Sequence, residues 1–400
     1  MKKKLIKSKR KGFTALVMII IAILLVTGVG LLSLGFDSRV MSIRDASGIA
    51  ARCAADSGLA KAIFEMNEKL KVQPWDGSTL PAATNETLPG SDLIFSYTVT
   101  GDSSSGYTVQ CTGKYLAAEK TVHCTLGMKG LFDYAIFTKT NISMNNSATV
   151  DWYNNDAGDR PFSIGTNAIE AGAIDLKHGA TVNGDVIVGY GGDPDVVIED
   201  GGANITGDVY VAPEVYDIPP ATVPQGLVDL PSQGTLNDCA VITGSGKYDS
   251  IDLGNHEVIV INGDVSLYIT GDITLGNSAQ LLVVNEGMNP NASLTLYVGG
   301  NVEVKNGGAF NNLAQDPKKL SIVGVDDCED IILKNSTDFY GTIYAPDTRV
   351  EMKNSANAYG AVVADTFDQK NSATFYYDAS LRDVTVEQAE RFVVKYWSEN

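Results

Sequence analysis

The sequence lacks the signatures on which most enzyme chemistry is built. It has no HExxH pair of zinc-binding histidines, no GxSxG nucleophile turn and no phosphate-cradling P-loop. Its 3 histidines, His123, His178 and His256, fall in separate segments. Its 5 cysteines, Cys53, Cys111, Cys124, Cys239 and Cys328, include no CxxC and no histidine at metal-ligand spacing, so no zinc site is expected. An odd number also argues against a disulfide-dense scaffold. Only Cys111 and Cys124 are pairable, on two β-like runs flanking a hairpin turn near residues 113–118; two facing thiols are the alternative. Arginine is scarce too: between residues 131 and 380 it occurs only at Arg160 and Arg349. Asp347 beside Arg349 is the one pair there that resembles an acid–base site, and a surface ion pair explains it equally well. The acid-rich turns at 189–200 and 326–330 match no calcium-loop spacing and read as solvated turns. No catalytic residue, metal or cofactor is therefore expected.

Positive charge is confined to one end. Residues 1–12 carry 7 Lys or Arg and no acid, which leaves 23 basic against 48 acidic residues, a net of −25, over residues 13–400. Such an acidic body repels phosphate backbones, so nucleic acid is not an expected partner. What the chain has in excess is glycine, 40 in 400 residues, which points to many turns and a mainly β fold.

After the basic end, residues 15–34 run for 20 positions without a charge. As a helix they span about 30 Å, the thickness of a bilayer's hydrocarbon layer. The cationic flank should stay cytoplasmic, which makes Ala15, Leu16, Val17 and Leu34 part of a single-pass anchor and places the body outside. A cleaved secretory signal is the rival, but it predicts a shorter apolar core. Here the pattern continues as an amphipathic helix through Phe36, Val40, Ile43, Ala46, Ala50, Cys53, Leu59, Ile63, Met66 and Leu70.

Two motifs on this helix carry a resemblance. Lys11-Gly12-Phe13-Thr14-Ala15-Leu16-Val17 resembles the prepilin motif, in which a prepilin peptidase cuts after Gly; Gly12 and Phe13 would be the cleavage pair. Residues Ala51 to Ala60 resemble the AAEAGL-like signature of PilX-type pilus assembly proteins. The resemblance implies a type IV pilin-like or pseudopilin-like protein of the inner membrane, with other pilins or pseudopilins and membrane lipid as partners. Major pilins carry Glu where Val17 stands, so it further implies a minor or tip subunit, or a free membrane-anchored protein.

Residues 72–90 read as a loop, and β-like runs at 93–99, 107–112 and 121–126 as a small meander. From about residue 131 a short pattern recurs: an apolar pair flanking a variable residue, a polar residue, then Asn and small residues. The Asn positions Asn255, Asn277, Asn306, Asn335, Asn354 and Asn371 are 22, 29, 29, 19 and 17 residues apart. A Gly-Asp element accompanies them at Gly184, Gly207, Gly263, Gly271 and Gly300. Repeats of this size predict a parallel β-helix (solenoid) of either hand, with the apolar pair inward and Asn stacked as a corner ladder. An antiparallel sandwich would instead show hairpins with two-residue turns.

The predicted organisation is a basic leader (1–12), a transmembrane and amphipathic helix (13–70), a linker and meander (71–130), the solenoid (131–380) and a C-terminal helical cap (381–400). The insert at 213–238 holds 5 prolines and reads as a long loop laid along the solenoid. The cap rests on Thr385, Gln388 and apolar residues at helical spacing, and would cover the last rung. The segments 339–346 and 359–363 also resemble a β-helical domain found behind PilX-like anchors. The expected function is a non-enzymatic envelope component that exposes its solenoid for assembly or adhesion to an extracellular glycan or surface. The alternatives are a β-helix polysaccharide lyase or hydrolase, a glycan-binding adhesin, and a bactofilin-like polymer.

Overall fold

A computed structural model of the chain describes residues 10–72, 75–102, 105–130, 132–154, 161–237, 239–284, 289–334, 338–382 and 389–399. The chain divides into two units, residues 1–128 with 385–400, and residues 129–384.

In the first unit, helix α1 (Arg10–Leu70) runs 61 residues without a break, about 90 Å at 1.5 Å per residue. Its apolar side chains from Leu16 to Ile43 are exposed, and the helix is long and apolar enough to cross a membrane. Beyond them one stripe is buried: Ser47, Ala51, Ala54, Ala55, Leu59, Ala62, Met66 and Leu70. This departs from the expected stripe, since Phe36, Val40, Ile43, Ala46 and Cys53 are exposed. Position decides most of the difference: burial begins only at Ser47, so Phe36, Val40, Ile43 and Ala46 precede the packed part of the helix, and within that part Ala51, Ala54 and Ala55 pack closely on Gly113.

That sheet holds β1 (Ala82–Thr87), β2 (Ile94–Asp102), β3 (Gly106–Tyr115) and β4 (Ala118–Gly130), each antiparallel to the next. The turn from β3 to β4 falls at Leu116, whose φ is +52°. Strand β1 corrects the loop expected over 72–90. The C-terminal segment also differs from expectation: residues Ala389–Glu399 form a strand beside β4, completing a five-stranded sheet, and not a helix. The run Phe392-Val393-Val394-Lys395-Tyr396-Trp397 is rich in β-branched and aromatic residues, and β4 offers an edge whose ladder bonds it satisfies. Phe392 is 2% exposed, against Trp75 and Tyr107, and its N–H donates to Asn67 Oδ1 at 2.7 Å. Thr385 and Gln388 lie outside the described residues.

The second unit is a parallel solenoid with three strands per coil. One face runs through residues 209–211, 185–188, 163–166, 136–138, 361–364, 342–345, 320–324, 293–298, 264–269 and 246–248, the long strands Ile136–Met144, Asn357–Gln369 and Asp338–Lys353 turning corners and contributing to more than one face. In-register residues build an inward column: Leu267, Leu296, Ile322, Ile343, Val362, Ile136, Ile164 and Val186. A second face stacks Ile251, Ile273, Val302, Ile331, Val350, Phe367, Ile142 and Ile174 in the same way. These side chains are at most 1% exposed, and each full burial contributes about 1.5–3 kcal/mol.

Chain order and spatial order part company here. From 235 to 378 each coil stacks on the one before it, but the coil 136–154 stacks on the last of these, and coils 163–182 and 185–205 continue beyond it. The edge that the expected C-terminal helix was to cover is therefore occupied by the first coil. The insert carries the chain between the two ends of the stack. It leaves after Val209–Val211, at one end, and re-enters at Thr235–Leu236, at the other. On the way Tyr216 packs on Phe137 at 4.6 Å between ring centres, and Asn167 bonds both its N–H (2.9 Å) and its carbonyl (2.7 Å). Tyr344 donates to the Pro219 carbonyl, and Lys247 Nζ donates to the Val228 carbonyl at 2.9 Å.

Candidate functional site

Gly12, Phe13 and Ala15 lie within α1. Leu16, Val17 and Leu34 present exposed side chains. The segment Ala51 to Ala60, which carries the PilX-like signature, is where α1 docks on its sheet. Ala51, Ala54, Ala55, Gly58 and Leu59 face β2 and β3. A Cβ at Gly113 on β3 would stand 2.0 Å from the Ala51 carbonyl oxygen and 2.3 Å from the Ala55 nitrogen. The small residues of the motif thus set the depth of helix docking.

Cys111 and Cys124 lie under this helix as buried free thiols, which corrects the pairing as a disulfide. Cys111 faces Val122 and Cys124 faces Val109, so the two are offset by two residues along the ladder. Burial pushes the Cys111 thiol up to about 12 and raises Cys124 as well, so neither is poised as a thiolate.

On the solenoid the repeated Asn residues form a corner ladder. Asn277 Nδ2 donates to Asn255 Oδ1 at 3.0 Å, Asn371 to Asn354 at 3.0 Å, and Asn146 to Asn371 at 3.1 Å. The Ser278 N–H donates to the Asn306 carbonyl at 3.1 Å; Asn335 lies outside the described residues. Asn354, Ser355, Asn371 and Ser372 take φ of 55–60°, a left-handed corner that Asn tolerates better than most residues. His256, with φ +64°, occupies the same corner.

Between the first and second faces, the Gly-Asp element makes another ladder. Asp272 Oδ1 accepts from Asn301 N (2.8 Å), and Asn301 Oδ1 from Asp330 N (2.8 Å). A Cβ at Gly300 would stand 2.4 Å from the Gly271 carbonyl carbon, so only glycine lets the coils close. The second face is a charged lattice. Glu351, 5% exposed, accepts from Lys353 (2.7 Å) and Lys370 (3.1 Å). Arg349 pairs with Asp330 at 2.7 Å, whereas Asp347 pairs with Lys139 at 2.6 Å. The pairing of Asp347 with Arg349 is therefore corrected: the strand register shifts between Ala345 and Arg349, and the two residues take different partners.

The third face, which holds residues 258–261, 280–283 and 309–312 and, further along the stack, 338–341, 357–360, 374–377 and 149–152, carries a tyrosine stack. Tyr340, Tyr359 and Tyr376 stand in register, with ring centres 4.2 and 4.8 Å apart and nearly parallel planes. Tyr153 packs edgewise on Tyr340 and Tyr359 at 5.6 and 4.9 Å. Beside it opens a cavity of about 480 Å³ lined by Tyr153 and Asn154, by Gln315, Asp316 and Lys318, and by Asp378 and Ser380.

Residues 219–384 match the family model of a domain of unknown function, DUF7305. The matched stretch spans the insert from Pro219 and the coils that stack in chain order. No curated protein matches the chain. Among solved structures, the competence-associated pilin ComZ from Thermus thermophilus is similar at 14% identity and a TM-score of 0.23, covering 88% of this chain and 97% of that one. A glycosylated ice-binding protein from an Arctic yeast is similar at 18% identity and a TM-score of 0.25, covering 61% and 90%. An ice-binding protein of Shewanella frigidimarina is similar at 15% identity and a TM-score of 0.27, covering 63% and 99%. Likeness of this degree says nothing of what this chain binds or joins.

The tyrosine stack and its cavity are absent from the sequence expectation. A signal for the stack was present: Tyr340, Tyr359 and Tyr376 are 19 and 17 residues apart, the intervals of Asn335, Asn354 and Asn371. The cavity had none, since its walls come from three separate stretches of chain.

Proposed function

We propose that the chain is a non-enzymatic, membrane-anchored structural protein of the pilin or pseudopilin kind, a minor or tip component that carries a solenoid outside the membrane. The observation that carries this reading is the single unbroken helix α1. Its first part is apolar and exposed on all sides, and its second part is packed on a sheet through the Ala51 to Ala60 segment. A secretory signal has no reason to continue into a docking helix, whereas a retained anchor that also belongs to a folded domain does. The basic flank and the Gly12-Phe13 junction support processing by a prepilin peptidase on the cytoplasmic face. The inner membrane is then the site of assembly, with lipid and other pilin-like helices as the neighbours of residues 16–46.

Mass spectrometry of the native amino terminus tests the proposal. The expected mature chain begins at Phe13; an intact Met1, or a cut beyond Leu34, overturns it.

A further inference from the structure

We infer that the cavity beside Tyr153 binds a neutral saccharide. Its volume of about 480 Å³ falls among small-molecule sites, roughly 300–1,000 Å³. Its walls are fixed in advance. Asn312, 1% exposed, donates through Nδ2 to the carbonyls of Asp316 (2.7 Å) and Tyr340 (3.1 Å), tying the loop to the third face. The Tyr153 hydroxyl donates to the Gln315 carbonyl at 3.1 Å, and Asp316 Oδ1 accepts from Lys318 N at 3.0 Å. A site held this way loses little entropy when it fills.

The lining chooses the chemistry. Asp378 is 3% exposed and accepts from Ser380 N at 2.9 Å, with no ion pair among the described residues. A carboxylate has about four acceptor sites, so most of its capacity faces the cavity or goes unused. Its capacity on the cavity side is open to a hydroxyl donor from a ligand. Lys318 Nζ, on the exposed side, has no ion-pair partner among the described residues either. Asp316 and Asp378 together repel an anion, the lysine disfavours a metal cation, and the polar walls disfavour an apolar guest. A hydroxyl-rich neutral molecule satisfies donors and acceptors at once, and the Tyr153 ring, 38% exposed, offers apolar surface to the C–H groups of a sugar ring. This inference concerns residues 129–384 alone and stands whether or not Gly12 is a cleavage site.

The test is titration of the full chain, held in a sugar-free detergent, with cellobiose, maltose and N,N′-diacetylchitobiose, read by calorimetry and saturation-transfer NMR. At least one sugar is expected to bind, and Asp378→Asn and Lys318→Ala are each expected to weaken it about tenfold. Should Asp378→Asn fail to fold, the exposed Lys318→Ala decides alone. Absence of binding by all three sugars, binding unchanged in Lys318→Ala, or displacement of the sugar by inorganic phosphate or calcium chloride overturns the inference.

Discussion

Within residues 129–384 a buried isoleucine or leucine sits over its counterpart one coil away, as Leu267 does over Leu296 and Ile251 over Ile273. In the N-terminal unit no contact has such a copy. Ala51 and Ala55 meet Gly113, and Gly58 meets Cys111 and Phe95, each once. Both units bury an apolar face completely, yet one distributes its specificity over many equivalent contacts and the other concentrates it in a few. A repeated lattice should therefore yield a little at each site, and a single docking surface should fail at one.

Gly113→Ala tests that contrast most severely. The added methyl meets two helix backbone atoms, which cannot move without moving α1, so a loss of about 3 kcal/mol in the N-terminal unit is expected. Protection of residues 47–70 from hydrogen exchange should fall while that of the solenoid stays. The control is Gly244→Ala, where a Cβ meets nothing within 4 Å, and a change within about 0.5 kcal/mol is expected. Equal losses at the two sites would show that the contact of Gly113 with α1 is not what sets the cost.

The same contrast explains what was legible in the sequence. Repetition announces itself, so the solenoid, its inward pairs and its Asn corners could be read from intervals such as Asn354 to Asn371. Repetition also hides order, because coils with interchangeable inner columns give no sign of which lies beside which; that Val362 pairs with Ile136 leaves no trace in either segment. The cavity was hidden for the same reason, since Tyr153 reaches Tyr340 only through that pairing. In the N-terminal unit the apolar helix was plain, but its docking stripe was misread because apolar spacing does not tell where packing begins, which is at Ser47. The C-terminal strand was misread because Ala389, Phe392, Val393 and Tyr396 fit a helical period that the open edge of β4 overrides.

A sharper probe within the lattice is Glu351→Gln. Burial pushes this carboxyl up, but the hydrogen bonds from Lys353 and Lys370 outweigh burial and hold it below the ordinary glutamate value. A group with a lowered folded pKa stabilises fully above its unfolded pKa, about 4.3, and loses that contribution as pH falls through its folded value. Glu351→Gln should thus cost about 2 kcal/mol at pH 7, measured by denaturant unfolding, and the gap to the wild type should close below about pH 4. A gap that persists at pH 3 would assign the cost to packing instead of charge.

The smallest effect belongs to the corner ladder. Asn277→Ala removes the bond its side chain makes to Asn255, but Asn277 N still donates to Asn255 Oδ1 at 3.0 Å. The corner is exposed, so water replaces what is lost, and a net cost of about 1 kcal/mol is expected. If the lattice shares its load, the double variant Asn277→Ala with Asn371→Ala, at corners bonded to different neighbours, should cost the sum of the two single losses in the same unfolding measurement. A loss well above that sum would mean that the ladder is read along its whole length. In that case the asparagines, and not the inward columns alone, would hold the coils at their spacing, and the solenoid would concentrate its specificity as the N-terminal unit does.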